Sequence, residues 1–380
     1  MKVLVIGGVA AGTKAAAKWK RENRGDQVLV LTKSADISYA GCGLPYYVGG
    51  SIENREELIV NTPQKYRGLT GVEVRTLREA THVDPAAKVV TAQNLENGQE
   101  ETYSYDKLIL ATGASAVKLP IPGVDLNGVF PMRAPEDAIT MRDYLDANGV
   151  KKAVVIGGGF IGLELAENLF DRGVSVTVVE AASQILSGVL DPEMAGYVQR
   201  HLAQKGIRVL TGTKATALVG NGKVEGVQTG GGLLPCGVVV MSAGIRPNTA
   251  FLEGTGIQME KGAIVVDECL ATSVADIYAA GDCALVKNRL TGKAQYSPMG
   301  SSANLEGRTL AQNLNGENKT YPGVLGTGVV KLPGLNVGRT GLPESAAKES
   351  GYDVETVVAV TDDKAHYYPG AAFFITKLLA

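Results

Sequence analysis

Val3-Leu4-Val5-Ile6-Gly7-Gly8-Val9-Ala10-Ala11-Gly12 and Val154-Val155-Ile156-Gly157-Gly158-Gly159-Phe160-Ile161-Gly162 are two readings of one pattern. In each, a β-branched run stops at glycine and continues as a helical segment, the first Ala-rich. A second apolar strand follows each, at Val28–Leu31 and Val174–Val179. A strand, a glycine turn and a helix make one mononucleotide-binding unit, so the chain holds that unit twice. Two dinucleotides bound side by side are therefore expected.

Outward from these units the texture stays α/β. Tyr105–Leu110 reads as a strand ending in the small-residue turn Ala111-Thr112-Gly113, and Leu119–Gly123 reads as a linker. Similar strand-to-turn passages recur at Val238–Ala243 with Gly244, and at Asp276–Asp282. Past about Tyr321 the pattern becomes strand-like runs with turns, including Val354–Val360 and Phe373–Leu378. The expected fold class is α/β, with two Rossmann-like dinucleotide-binding domains and a C-terminal α+β dimerisation domain. The expected boundaries are 1–118 with 245–320 for the first domain, 119–244 for the second, and 321–380 for a partial C-terminal domain.

Composition narrows the function. Lys and Arg total 37 against 39 Asp and Glu, a balance that argues against broad nucleic-acid binding. No apolar run reaches the roughly eighteen residues of a membrane span, and the N-terminus reads as a strand rather than a secretory leader. Cys42, Cys236, Cys269 and Cys283 form no CxxC pair and no metal-like spacing with the three histidines. A reduced, cytoplasmic setting without a metal site is expected.

The second glycine turn is regular, with Gly157, Gly159 and Gly162 placed for pyrophosphate at a helix N-terminus. Glu180 closes the next strand, where a carboxylate hydrogen-bonds a ribose 2′-hydroxyl and repels a 2′-phosphate. With only Ala181 and Ala182 beside it, NADH is favoured over NADPH. The first turn keeps Gly7 and Gly12 but has Val9 in the middle place, and Thr32 stands where the ribose carboxylate would be. Gly281-Asp282 compensates: an aspartate at a strand end, read as lying beside a helix start, can hold a ribityl chain.

Cys42 sits in Ser38-Tyr39-Ala40-Gly41-Cys42-Gly43-Leu44-Pro45-Tyr46-Tyr47, where small neighbours leave its sulfur open to a flat ring. A helix beginning there would lower the thiol pKa. The other three cysteines are expected in the core.

With Ser38, Cys42 and Gly43–Tyr47 beside paired nucleotide units, the chain resembles the single-cysteine branch of the pyridine nucleotide–disulfide oxidoreductases, of glutathione reductase-like fold. Coenzyme A disulfide reductases, NADH-dependent persulfide reductases, NADH oxidases and peroxidases make up that branch. Further matches are Ala111–Gly113, Gly157–Gly162, Thr272–Asp282, Ser301–Arg308 and Tyr367–Gly370. The resemblance implies FAD, NADH on the flavin face away from Cys42, and a small thiol, disulfide or persulfide as substrate. Peroxidases and oxidases of the branch carry a histidine in the first glycine turn, where Ala10 stands here. That shifts weight to sulfur substrates, with an NADH oxidase and an electron-transfer flavoprotein that reduces a protein partner such as rubredoxin as alternatives.

The resemblance further implies coenzyme A near Asn304 and Arg308, with Asn61 and the basic stripe Lys14, Lys18 and Arg21 as companions. It implies a homodimer in which Tyr367 or Tyr368 reaches the partner's cysteine as a proton donor. Relatives of the branch continue past Ala380 and add a second tyrosine, so a partial interface domain is expected.

Overall fold

The computed structural model describes residues 1–380. Its first sheet has five parallel strands, in the order Ile277–Ala279, Lys107–Leu110, Lys2–Ile6, Gln27–Leu31, Glu73–Arg75. The second repeats the plan with Val129–Phe130, Val238–Met241, Lys152–Ile156, Ser175–Val179, Arg208–Leu210. Both reverse their strand order beside the strand that carries the glycine turn. In an open parallel sheet the crevice beyond the strand ends at that reversal is where a ligand fits.

The strands form because their residues are β-branched and both faces are covered, so apolar side chains run on without alternation. Val3, Leu4, Val5 and Ile6 are all buried, as are Ala153, Val154, Val155 and Ile156. The Ala10–Glu22 helix buries Ala11, Ala15, Ala16 and Trp19, which share one face at helical spacing. Small alanines let the Gly300–Leu314 helix lie close alongside: a Cβ on Gly307 would overlap the Ala11 carbonyl.

Each unit also carries a three-stranded antiparallel meander, placed between Glu73–Arg75 and Lys107–Leu110 in the first and between Arg208–Leu210 and Val238–Met241 in the second. These are Arg78–Ser104 in the first and Ala215–Pro235 in the second. The two chain crossings between the units pair with each other, Ala114–Ala116 against Ile245–Pro247.

Beyond Tyr321 the structure has two antiparallel hairpins. Gly328–Leu332 pairs with Leu335–Arg339 and packs Val330, Leu332 and Val337 into the core of the second unit. Burying a side chain such as Leu332 contributes about 1.5–3 kcal/mol. The expected runs near 354–360 and 373–378 are the arms of the other hairpin, Thr356–Asp362 and Phe373–Leu379. It is tied down by Lys377, whose buried ammonium contacts Asp191 at 3.0 Å, Glu193 at 2.5 Å and Glu344 at 2.6 Å. Most of its apolar side chains are exposed, Phe373 by 75% and Val360 by 60%.

Candidate active site between two glycine-rich turns

The two turns share one backbone solution. Gly7 and Gly157 have φ of +120° and +112°, which only glycine adopts readily. Their N–H groups donate to Leu31 and Val179, each at 2.8 Å. A Cβ on Gly7 would overlap the Ala111 carbonyl, and one on Gly157 the Ser242 carbonyl. Gly12 and Gly162 likewise leave no room, because their helices press on the carbonyls of Gly7 and Gly157. These four glycines are demanded by packing. Gly159 differs: open space lies before it, room for a diphosphate to approach the backbone.

Around the second turn Glu180 accepts hydrogen bonds from the N–H groups of Gly158 and Ala182, both at 2.7 Å. That fixes the carboxylate at the strand end, where a ribose would lie. Gly244, at φ +101°, ends the strand passage that faces this turn. Around the first turn Thr32 is buried beside Gly8, and Ser38 closes the loop by donating its N–H to the Gly8 carbonyl at 2.8 Å. Ala111, Thr112 and Gly113 face the turn across the crevice, and Thr112 Oγ1 is buried without a hydrogen-bond partner. An unpaired hydroxyl at the mouth of one crevice and open backbone in the other suit two dinucleotides.

Asp282 follows Gly281 as expected, but no helix starts there. The Ala284–Lys287 strand comes next, and the helix begins only at Gly300. The Asp282 carboxylate instead pairs with Arg133, whose Nε also donates to the Ala114 carbonyl at 2.9 Å.

Cys42 lies in the helical turn Gly41–Gly43, which runs straight into the Leu44–Gly49 helix. Its thiol is exposed and free. Against expectation its pKa is raised: desolvation by surrounding atoms is the largest cause, Glu164 and Asp282 add to it, and Arg133 acts the other way. A helix this short and this near two carboxyl groups cannot lower the thiol. Asp282 belongs to the first unit and Glu164 to the helix of the second, so the sulfur stands between the two. Glu164 itself is pushed up to about 7 by burial and by Glu167.

The remaining residues are placed unevenly. Asn61 Nδ2 donates to Ser38 Oγ at 3.3 Å, which brings it to the Cys42 loop. Asn304 donates to the Gly300 carbonyl at 3.2 Å, and Arg308 is exposed on the same helix. Lys14 is half-buried, Lys18 pairs with Glu22, and Arg21 is exposed, so the stripe is already partly neutralised. Tyr367 and Tyr368 stack at 5.1 Å in the loop of the outer hairpin, 74% and 56% exposed. Cys236 and Cys283 are buried as expected, whereas Cys269 is half-buried. Sequence reasoning missed Arg133, Glu164 and Glu306. Glu306 could have been noticed as an acid on the same helix face as Ala303 and Leu310; Arg133 and Glu164 carry no such signal.

The family model for pyridine nucleotide-disulphide oxidoreductases matches residues 1–301. An NADH oxidase of Methanocaldococcus jannaschii is 37% identical over 380 residues, 100% of this chain and 84% of the relative. A CoA-dependent NAD(P)H sulfur oxidoreductase of Pyrococcus furiosus is 37% identical over 97% of this chain and 82% of its own. Among solved structures, an NAD-dependent persulfide reductase from A. fulgidus superposes with a TM-score of 0.96 at 38% identity, covering 100% of this chain and 71% of that one. The chain belongs to the pyridine nucleotide-disulphide oxidoreductase family, FAD- and NAD(P)-dependent enzymes. No helix is long and apolar enough to cross a membrane.

Proposed function

We propose that the chain uses NADH and FAD to reduce a coenzyme A disulfide, coenzyme A persulfide or polysulfide at Cys42, and that it does so as a cytoplasmic homodimer. The observation that carries this reading is the exposed Cys42 sulfur, acted on by Asp282 of one nucleotide unit and Glu164 of the other. Residues 1–118 and 245–320 would hold FAD, with Gly7, Gly12, Ser38, Ala111–Gly113, Gly281 and Asp282 at the cofactor. Residues 119–244 would hold NADH through Gly157, Gly159, Gly162, Glu180 and Gly244.

FAD, when bound, supplies two-electron transfer from nicotinamide to sulfur. Cys42 would then attack one sulfur of the substrate, forming a mixed disulfide or cysteine persulfide and expelling coenzyme A thiolate from the disulfide, or hydrosulfide or a shortened polysulfide from the other two. Arg133 favours the Cys42 thiolate against the burial and carboxylates that oppose it. Two electrons delivered to the mixed disulfide regenerate Cys42 and release the second thiol. Asn61, Asn304, Arg308, Lys14, Lys18 and Arg21 would hold the coenzyme A phosphates and pantetheine. The outward apolar face of the Thr356–Asp362 and Phe373–Leu379 hairpin supports pairing of residues 321–380 with a second copy. Such pairing would carry Tyr367 or Tyr368 to the partner's thiolate as proton donor.

None of the histidines stands in the first glycine turn. His82 is in a meander strand, His201 binds the Pro333 carbonyl at 2.6 Å, and His366 lies against Tyr367. Peroxide and oxygen reduction therefore lack their acid–base group. The test is anaerobic NADH consumption with coenzyme A disulfide, coenzyme A persulfide, polysulfide and peroxide compared. Turnover is expected with the sulfur compounds and should fall at least about 1,000-fold in Cys42→Ser, which removes the nucleophile. Turnover with peroxide alone would replace the substrate class. Undiminished activity in Cys42→Ser would point to electron transfer to a protein partner.

A further inference from the structure

Glu306 is 1% exposed on the Gly300–Leu314 helix, and the sulfur chemistry makes no use of it. Its Oε2 accepts a hydrogen bond from the Gly281 N–H at 2.6 Å, and the Tyr321 hydroxyl bears on the same carboxyl. Gly281, at φ +79°, leaves only enough room for the Ala11 methyl, which lies 3.1 Å from where its own Cβ would be. Gly307, next along, is pressed on the Ala11 carbonyl. Three elements thus meet at Glu306: the start of the Ala10–Glu22 helix, the turn that presents Asp282, and the helix carrying Glu306.

A carboxylate has no place in such a spot. It would be a charge without a cation, buried beside Asp282 and behind the turn where a diphosphate is expected. Burial is the main force raising its pKa, to about 7, and Asp282 pushes the same way; the Gly281 N–H and Tyr321 oppose them. Asp282 and Tyr321 are the titratable side chains that act on it. From the Ala10–Glu22 helix, Ala11 packs against Gly281 and Gly307 on either side of it.

We propose that Glu306 is a positioning residue for FAD, an uncharged acid that fixes the Gly281–Asp282 turn against the first glycine-rich unit and loosens the flavin when it ionises. The inference rests on FAD occupying that unit. The sign follows from the raised value. The closed state holds a proton that an ordinary carboxyl, with a pKa near 4.3, would have lost. Retention is therefore full below about pH 4.3, falls as pH rises towards about 7, and levels off beyond it.

FAD-loaded protein is held in buffers from about pH 6 to about pH 9 at constant ionic strength, and flavin released through an ultrafilter is measured. Native protein is expected to hold FAD about tenfold more weakly at about pH 9 than at about pH 6, with nearly all of that loss complete by about pH 8. Glu306→Gln keeps the hydrogen bond to Gly281 without a titrating group, so its retention should be flat across the range. Glu306→Ala should leak FAD at every pH. Infrared spectra of the native holoprotein give a second measure: a buried carboxylic-acid band should be present at the acid end, vanish at the alkaline end, and be missing in Glu306→Gln. Retention that ignores pH in native protein, or a Glu306→Gln variant that titrates like it, overturns the proposal. Protein purified without any flavin would instead overturn the cofactor reading beneath it.

Discussion

The turn at Gly7–Gly12 and the turn at Gly157–Gly162 have nearly the same backbone and different surroundings. In both, the first glycine takes a positive φ against a facing carbonyl, and the last lets the helix press on the turn. The middle residue is Val9 in one and Gly159 in the other, and the following strand ends at Thr32 in one and Glu180 in the other. What is shared belongs to the fold. What differs bears on the ligand: in the proposed reading Gly159 and Glu180 serve a diphosphate and a ribose from within one unit. On the same reading the first turn would draw on Asp282 and Thr112, which follow other strands of its sheet.

The division can be broken by substitution. Gly162→Ala and Gly12→Ala should each cost about 3–5 kcal/mol in urea unfolding, because the new methyl must displace a helix from its turn. Gly159→Ala meets no atom, so its stability should change by less than about 0.5 kcal/mol. Its KM for NADH should nevertheless rise about tenfold or more as the diphosphate is held off. Equal destabilisation in all three variants would end the distinction between packing and ligand glycines.

Glu180→Ala is expected to have a smaller effect. Losing a charged acceptor for the ribose hydroxyls should lower kcat/KM for NADH about 10-fold to 100-fold. Discrimination against NADPH should shrink with it, and an unchanged NADH to NADPH ratio would remove Glu180 from the site. The smallest effect is expected at Val9, which precedes the Ala10–Glu22 helix without any side-chain cap. Val9→Gly should change stability by under about 1 kcal/mol and FAD retention by no more than about threefold. A large gain in retention would mean that the valine had been holding the diphosphate away.

Much of the site was legible because its signals are local. Gly157, Gly159, Gly162 and Glu180 lie within one strand–turn–helix–strand unit, and Gly41-Cys42-Gly43 announces an open sulfur through its neighbours. Arg133 was not legible, since its partner Asp282 lies 149 residues away and nothing near it hints at the pairing. The direction of the Cys42 pKa was misread for a related reason. Helix position is visible in sequence, whereas Glu164 approaches from the second unit and Asp282 from a distant part of the first. Tyr367 and Tyr368 are exposed at a hairpin tip, and the task proposed for them depends on a second copy.

Sequence alone settled that the chain folds as two nucleotide-binding α/β units with a cysteine loop, because glycine spacing and β-branched runs act over a few residues. Tertiary structure decided which charges surround the sulfur, that Asp282 pairs with Arg133, and that Glu306 is sealed behind the Gly281 turn. Those outcomes depend on desolvation and on electrostatic fields summed over groups far apart in the chain, and no local pattern encodes them.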